Sequence, residues 1–236
     1  MLDLLPSLVT WFVVFVFSTT LHEAGHAFAA MRLGDKTAYH GGQVSMNPIP
    51  HIQREPFGMV LVPILSFVLM KGQWMFGWAS APYDPRWAMR WPRKAALMAL
   101  AGPAANLILV VLAGVTIRGL VASGYLEPPY TLSFSQLAQG TEASGSQAAA
   151  LLLSILFNLN LVLLIFNLLP LPPLDGSGAI QLFLPENAAR RYQEFLFGNP
   201  LWAWVGIVAA WRLFWPVFEP VQRLVLRLLY PGLVYG

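Results

Sequence analysis

The chain contains no cysteine and little charge. Its 236 residues carry 14 Lys+Arg and 11 Asp+Glu, 11% in all, where a soluble domain carries about 25%. The missing cysteine excludes disulfides, thiolate nucleophiles and thiolate metal sites together, which leaves His, Asp, Glu, Ser, Thr and Asn for any chemistry. The scarcity of charge excludes an ordinary soluble enzyme. A basic n-region is also missing: Asp3 precedes the first apolar run and His22-Glu23 follows it, the flanks of a retained helix rather than a cleaved signal. There is no internal repeat and no low-complexity segment. The net charge of +3 does not indicate nucleic acid, because the basic residues cluster beside apolar runs, where they read as topology signals.

What is present is apolar and gathered. Hydrophobic residues make up 57% of the chain and the mean hydropathy is +0.59. No charge occurs from Leu4 to Leu21, from Ala95 to Ile117 or from Ala143 to Leu174, and each run reaches the roughly 18 residues of a spanning helix. The expected fold is an all-α polytopic membrane protein with about four transmembrane helices. Three of these cover about Leu4–Met31, Ala95–Ile117 and about Gln147–Leu169, and the fourth covers about Leu201–Trp215. Val221–Tyr230, with Arg223 and Arg227 four apart, reads as an interfacial tail.

Between the first two spans, Thr37–Met46 reads as a short β-hairpin around Gly41-Gly42. Phe57–Tyr83 reads as a re-entrant or interfacial hairpin, because its apolar stretches are short and broken by Gly72, Gly77 and Pro82. A polar helix is expected around Glu186–Phe195. The whole of 1–236 reads as a single integral-membrane domain, with a catalytic core at about 4–178 and a C-terminal span and tail at about 185–236. No segment is large enough for a fused soluble module. Ten basic residues (Arg32, Lys36, Arg54, Lys71, Arg86, Arg90, Arg93, Lys94, Arg190 and Arg191) are assigned to one face, the cytoplasmic one by the positive-inside bias.

Chemistry concentrates at the end of the first span, where His22-Glu23-Ala24-Gly25-His26 forms an HExxH pattern. Helix positions i and i+4 differ by about 40° around the axis, so both imidazoles can face one metal ion. Glu23 lies about 100° away, beside the metal, where it can take a proton from water. With 4 His in the chain, an accidental match has a chance on the order of 0.002. Catalytic zinc usually keeps three protein ligands, and the third is open among His40, His51, Asp35, Glu55, Asp84, Asp175, Glu186 and Glu194. Asp175 is favoured: Pro170, Pro172 and Pro173 break the third helix, and Gly176 permits a turn that points a carboxylate back toward the first.

Three segments together resemble the site-2 protease family of intramembrane zinc metalloproteases. They are the HExxH pattern, Ala101-Gly102-Pro103-Ala104-Ala105-Asn106 in the second span, and Phe166-Asn167-Leu168-Leu169-Pro170-Leu171-Pro172-Pro173-Leu174-Asp175-Gly176 after the third. Ser45-Met46-Asn47-Pro48-Ile49-Pro50-His51 and Phe76-Gly77-Trp78-Ala79 are similar to a short prokaryotic branch without PDZ or CBS domains. The resemblance implies Zn2+ held by His22, His26 and Asp175, with Glu23 as general base. Asn106 is then a candidate oxyanion donor or substrate grip, with an interhelical hydrogen bond as its structural alternative, and Asn167 shares that ambiguity. Gln53 stands where that branch often carries an acid, which sets His51 aside as an interfacial loop residue.

The implied partners are a transmembrane protein substrate and the lipid bilayer, with no nucleic acid. The implied setting is the cell membrane, multi-pass, with the site toward the cytoplasm. A strand at Gln43–Met46 could hold the unwound substrate by edge addition. A divalent-metal transporter and a catalytically inactive scaffold are the alternatives. Oligomeric state is not legible.

Overall fold

A computed structural model describes residues 5–233; Asp3, Leu4 and the last three positions lie outside the described residues. Among the described residues four helices are long and apolar enough to cross a membrane: α1 (Leu5–Leu33), α6 (Pro92–Ala122), α7 (Ser146–Asn167) and α10 (Leu201–Leu229). α6 is the centre of the bundle, packed on α1 along one side and on α7 along the other.

Close approach of α1 and α6 depends on small residues at the crossing. A Cβ on Gly25 would lie 2.8 Å from the Ala101 carbonyl oxygen, inside contact distance, so only glycine lets the two backbones come this near. Basic side chains close two of the helix ends. Lys94 Nζ donates to the Leu33 carbonyl at 3.2 Å, and Arg118 donates to the Leu228 and Leu229 carbonyls at 3.2 and 2.9 Å. A cation at a helix C-terminus satisfies orphan carbonyls and meets the negative end of the dipole.

Two apolar clusters flank the centre. One joins α6, α7 and α10 around Ile117, Phe157, Phe214 and Phe218. The other places Trp11, Val14 and Phe15 of α1 against Ile155 and Leu159 of α7 and against Phe67 and Met75. The last two belong to the hairpin between the first spans. There α3 (Pro48–Arg54) bends by 112° into a π-helical turn (Phe57–Leu61) that continues as α4 (Val62–Leu69).

From Trp74 onward the chain returns without helix or strand until α5 (Pro85–Arg90). Gly58 and Gly77 face each other across the two limbs so closely that a Cβ on either would collide with the other limb. Trp78 N donates to the Gly58 carbonyl at 3.1 Å, and Phe76 N donates to Ser66 Oγ at 3.1 Å. A folded-back hairpin is therefore present where the sequence placed a re-entrant or interfacial one.

Several details depart from the sequence reading. Thr37–Met46 is not a β-hairpin: Thr37–His40 is a helical turn, α2, and Gln43–Met46 is irregular, so no strand is there to receive a substrate edge. The cause is Asp35, whose carboxylate accepts from Thr37 N at 2.9 Å and Thr37 Oγ1 at 2.6 Å, fixing the start of the turn. Asn47-Pro48 starts a helix rather than ending a hairpin, since Asn47 Oδ1 accepts from Ile49 N at 3.0 Å. The two-stranded sheet lies elsewhere, pairing β1 (Leu126–Glu127) antiparallel with β2 (Gln139–Gly140) between α6 and α7.

The fourth span does not stop at Trp215. It runs through Pro216 and Pro220 to Leu229, because Phe214, Phe218, Leu226 and Leu229 continue one buried face. The proposed interfacial tail is the end of that helix, with Arg223 and Arg227 exposed. Lys71 also changes sides. It sits at the tip of the hairpin next to Trp74, which packs on Trp11 near the start of α1 and on Phe134 in the α6–α7 connection. Nine clustered basic residues remain at the other end of the bundle.

The chain between α6 and α7 and the chain between α7 and α10 lie at opposite ends of α7. In this cysteine-free protein, Tyr130→Cys (89% exposed in the wild type) and Glu186→Cys are expected to react with a membrane-impermeant maleimide from opposite sides of the membrane. Labelling of both from one side would remove α7 as a span.

Candidate metal centre

His22 and His26 occupy successive turns of α1 and project together against α6, where Gly102 leaves room for them. A Cβ on Gly102 would collide with His26 Nε2 and stand 2.6 Å from His22 Nε2. Each imidazole is oriented through its other nitrogen. His26 Nδ1 donates to the Met98 carbonyl at 2.8 Å, and His22 Nδ1 donates to Asn106 Oδ1 at 2.6 Å. A carbonyl oxygen can only accept, so both Nδ1 atoms carry the proton and both Nε2 atoms present lone pairs. The two Nε2 atoms are 3.0 Å apart.

The third member comes from after α7. Leu168–Leu174 turns the chain back, and Asp175 opens the short helix α8 (Asp175–Ala179). Gly176 packs on the Leu168 and Leu169 carbonyls so tightly that no Cβ would fit. Ser177 Oγ donates to the Leu174 carbonyl at 2.7 Å. From α10, Gly206 meets the Pro172 carbonyl in the same way. The Asp175 carboxylate then lies 3.2 Å from His22 Nε2 and 3.3 Å from His26 Nε2.

The three groups fit a divalent metal ion. Ligands about 2.0 to 2.1 Å from a tetrahedral zinc stand about 3.3 Å from one another, close to the separations here. Asp175 Oδ2 is buried without a hydrogen-bond partner, and two lone pairs beside a carboxylate repel one another unless a cation lies between them. Among the described residues this is the one such His/Asp/Glu group.

The other candidates are engaged elsewhere. Asp35 accepts from Thr37 and from Asp84 N. Asp84 caps α5 through Arg86 N. Glu55 accepts from Ser80 Oγ at 2.6 Å. His40, Glu186 and Glu194 do not join the group. His51 is buried rather than interfacial, held on α3 with Nε2 3.1 Å from the Ser45 carbonyl. Glu23 is buried on α1 between the two histidines in sequence.

Asn106 is fully buried and both ends of its amide are used. Its Nδ2 donates to Asn160 Oδ1 at 2.8 Å, and Asn160 Nδ2 donates in turn to Ser18 Oγ at 2.8 Å and to the Leu156 carbonyl at 2.7 Å. This chain ties α6, α7 and α1 together behind His22. Asn167 ends α7, half-buried.

Sequence reasoning missed Asn160, Ser18 and the Met98 carbonyl. The available signal was Asn158-Leu159-Asn160 in an uncharged span, since an amide within a membrane helix needs a partner. It also missed Tyr83, which stands beside Asp175 and His26. Burial and then the Asp175 carboxylate push the Tyr83 hydroxyl above its usual pKa, so it stays protonated.

Comparison with known proteins identifies the family. The model of Peptidase family M50 matches residues 10–210. The chain belongs to that family. Among curated proteins it is 32% identical to “Putative zinc metalloprotease YwhC” of Bacillus subtilis, over 93% of this chain and 96% of that protein. It is 31% identical to “Putative zinc metalloprotease Rip2” of Mycolicibacterium smegmatis, over 74% of this chain and 57% of that one. No solved structure matches. This M50 peptidase is a multi-pass membrane protein.

If Gly102 exists to admit the imidazoles, Gly102→Ala should lower metal affinity by about 10- to 100-fold, the usual cost of disturbing groups that orient ligands. Isothermal titration of the metal-stripped protein with Zn2+ measures it, and an unchanged affinity would remove the close approach as a determinant of the site.

Proposed function

We propose that the chain is an intramembrane zinc endopeptidase that hydrolyses peptide bonds in or near transmembrane segments of other proteins. We further propose that it acts as one membrane domain in the cell membrane, with its site toward the cytoplasm. The observation that carries this reading is the convergence of two imidazole lone pairs and a carboxylate beside Glu23, buried within a bundle of apolar helices. The nine clustered basic residues support the orientation. Membership in a peptidase family favours this reading over the transporter and the inactive scaffold.

In this reading His22, His26 and Asp175 hold Zn2+. When bound, the ion supplies Lewis acidity to the scissile carbonyl and to the attacking water. Glu23 accepts the proton of that water and returns it to the leaving amine nitrogen. The substrate helix unwinds locally, because a helix hides the peptide bonds that must be reached. Asn106 acts through His22: its oxygen faces His22 Nδ1, and its Nδ2 is turned to Asn160, to which it donates. It is a positioning residue rather than an oxyanion donor.

Two variants separate these roles. Glu23→Gln keeps size and reach but cannot accept the proton, so zinc per chain should stay at the wild-type level. Cleavage of a transmembrane substrate should fall by at least the roughly 10²-fold typical of a lost general base. Normal turnover would remove Glu23 as the base.

Asn106→Leu should weaken zinc binding by about 10- to 100-fold, and Asn106→Asp, which keeps an acceptor for His22 Nδ1, should restore most of it. An oxyanion donor predicts the opposite pattern, with zinc intact in both variants and kcat lost in both.

A further inference from the structure

Beside the metal centre lies a cavity of about 310 Å³, lined by His26 and Asp175 and also by Gln181 and Gln193. Its walls come from the first turns of α6, from α8 and the 3-10 turn that follows it, and from α9 (Glu186–Gly198) and the start of α10. Ala95, Ala99, Gly178 and Ala203 keep it open by being small.

Two polar groups in this mostly apolar lining have no partner. Gln193 is 2% exposed and donates its Nε2 to the Ala88 carbonyl at 3.2 Å, which fixes the amide and leaves Oε1 buried without a donor. Gln181, 4% exposed, also has a buried Oε1 without a donor. Buried amide oxygens are almost always satisfied. Both glutamines, from different elements, line the one cavity that reaches Asp175, and each keeps a buried oxygen that a small turn of its side chain would offer to an N–H group.

We propose that this cavity is a substrate subsite in which one apolar side chain of the unwound peptide is held while Gln181 Oε1 and Gln193 Oε1 accept backbone N–H groups next to it. The proposal rests on the peptidase reading and names how that site grips its substrate. Unwinding a helix inside a membrane strips N–H groups of their carbonyl partners where no water replaces them. Acceptors presented by the enzyme remove that penalty. The cavity is at the small end of the range for ligand pockets, suited to one large side chain or two small ones.

The test uses full-length, zinc-loaded protein in detergent, with Glu23→Gln as the parent so that binding is measured without turnover. The probes are fluorescent 20-residue Leu/Ala peptides with a central Asn-Gly break and Ala, Leu or Phe beside it. Gln181→Met and Gln193→Met together keep volume but remove both acceptors, and should weaken binding of all three peptides about tenfold. Ala203→Phe fills the cavity from α10, away from the metal, and should lower the preference for Leu and Phe over Ala about tenfold.

Zinc per chain and the melting temperature are measured alongside to confirm that each variant is folded. If the folded, zinc-loaded variants bind all three peptides as the parent does, the glutamines hold only water and the subsite is refuted. If binding shifts as expected but zinc-loaded wild-type protein cleaves none of the peptides, the peptidase reading fails while the subsite stands.

Discussion

Contact between α1 and α6 at Gly25 and Gly102 sets the positions of everything else at the centre. With side chains at either position the two helices would stand further apart, and the carbonyl of Met98 and the amide of Asn106 would no longer reach His26 and His22. Those two hydrogen bonds choose the tautomers, and the tautomers decide that both Nε2 atoms offer electron pairs to the same point. Packing and coordination chemistry are therefore one constraint here, enforced by two positions where nothing larger than hydrogen fits.

Placing such a cluster among apolar helices is costly unless every polar group is answered. The relay from His22 through Asn106 and Asn160 to Ser18 answers one side across three helices. Asp175 arrives from the other side at the end of the non-helical stretch Leu168–Leu174, whose polar backbone is tolerated among apolar helices because the protein encloses it. Gly176 and Gly206 show how closely that segment is enclosed: each lies against main-chain carbonyls with no space for a Cβ. What remains unanswered is Asp175 Oδ2 and, in two residues that line the same cavity, the oxygens of Gln181 and Gln193. The three orphans differ in chemistry: the carboxylate faces two lone pairs and suits a cation, and the amide oxygens belong to residues of a mostly apolar cavity wall and suit neutral donors.

Much of this was legible from the chain because its signals are local. Charge-free runs marked the spans, the helical period put His22 and His26 on one face, and the prolines before Asp175 announced a break. The failures share a cause, which is that a distant or side-chain partner overrode a local pattern. Thr37–His40 turned helical because Asp35 holds its first N–H, and Asp35 is itself tied to Asp84 far along the chain. Lys71 read as a cytoplasmic charge, but packing of Trp74 on Trp11 and Phe134 carries the hairpin tip to the other end of the bundle. α10 continued through two prolines because its buried face and the Arg118 cap lie beyond them.

Asn106 shows most clearly where residue type stops being informative. Its position in the second span singled it out, and a side-chain amide can serve equally as an oxyanion donor or as an acceptor for a ligand. Which of these it does depends on what lies behind it, and that is Asn160, 54 positions along the chain. Because Asn160 takes the NH2 group, the Asn106 oxygen is turned to His22. A residue placed by motif for contact with substrate is thus placed by its neighbours for contact with a ligand.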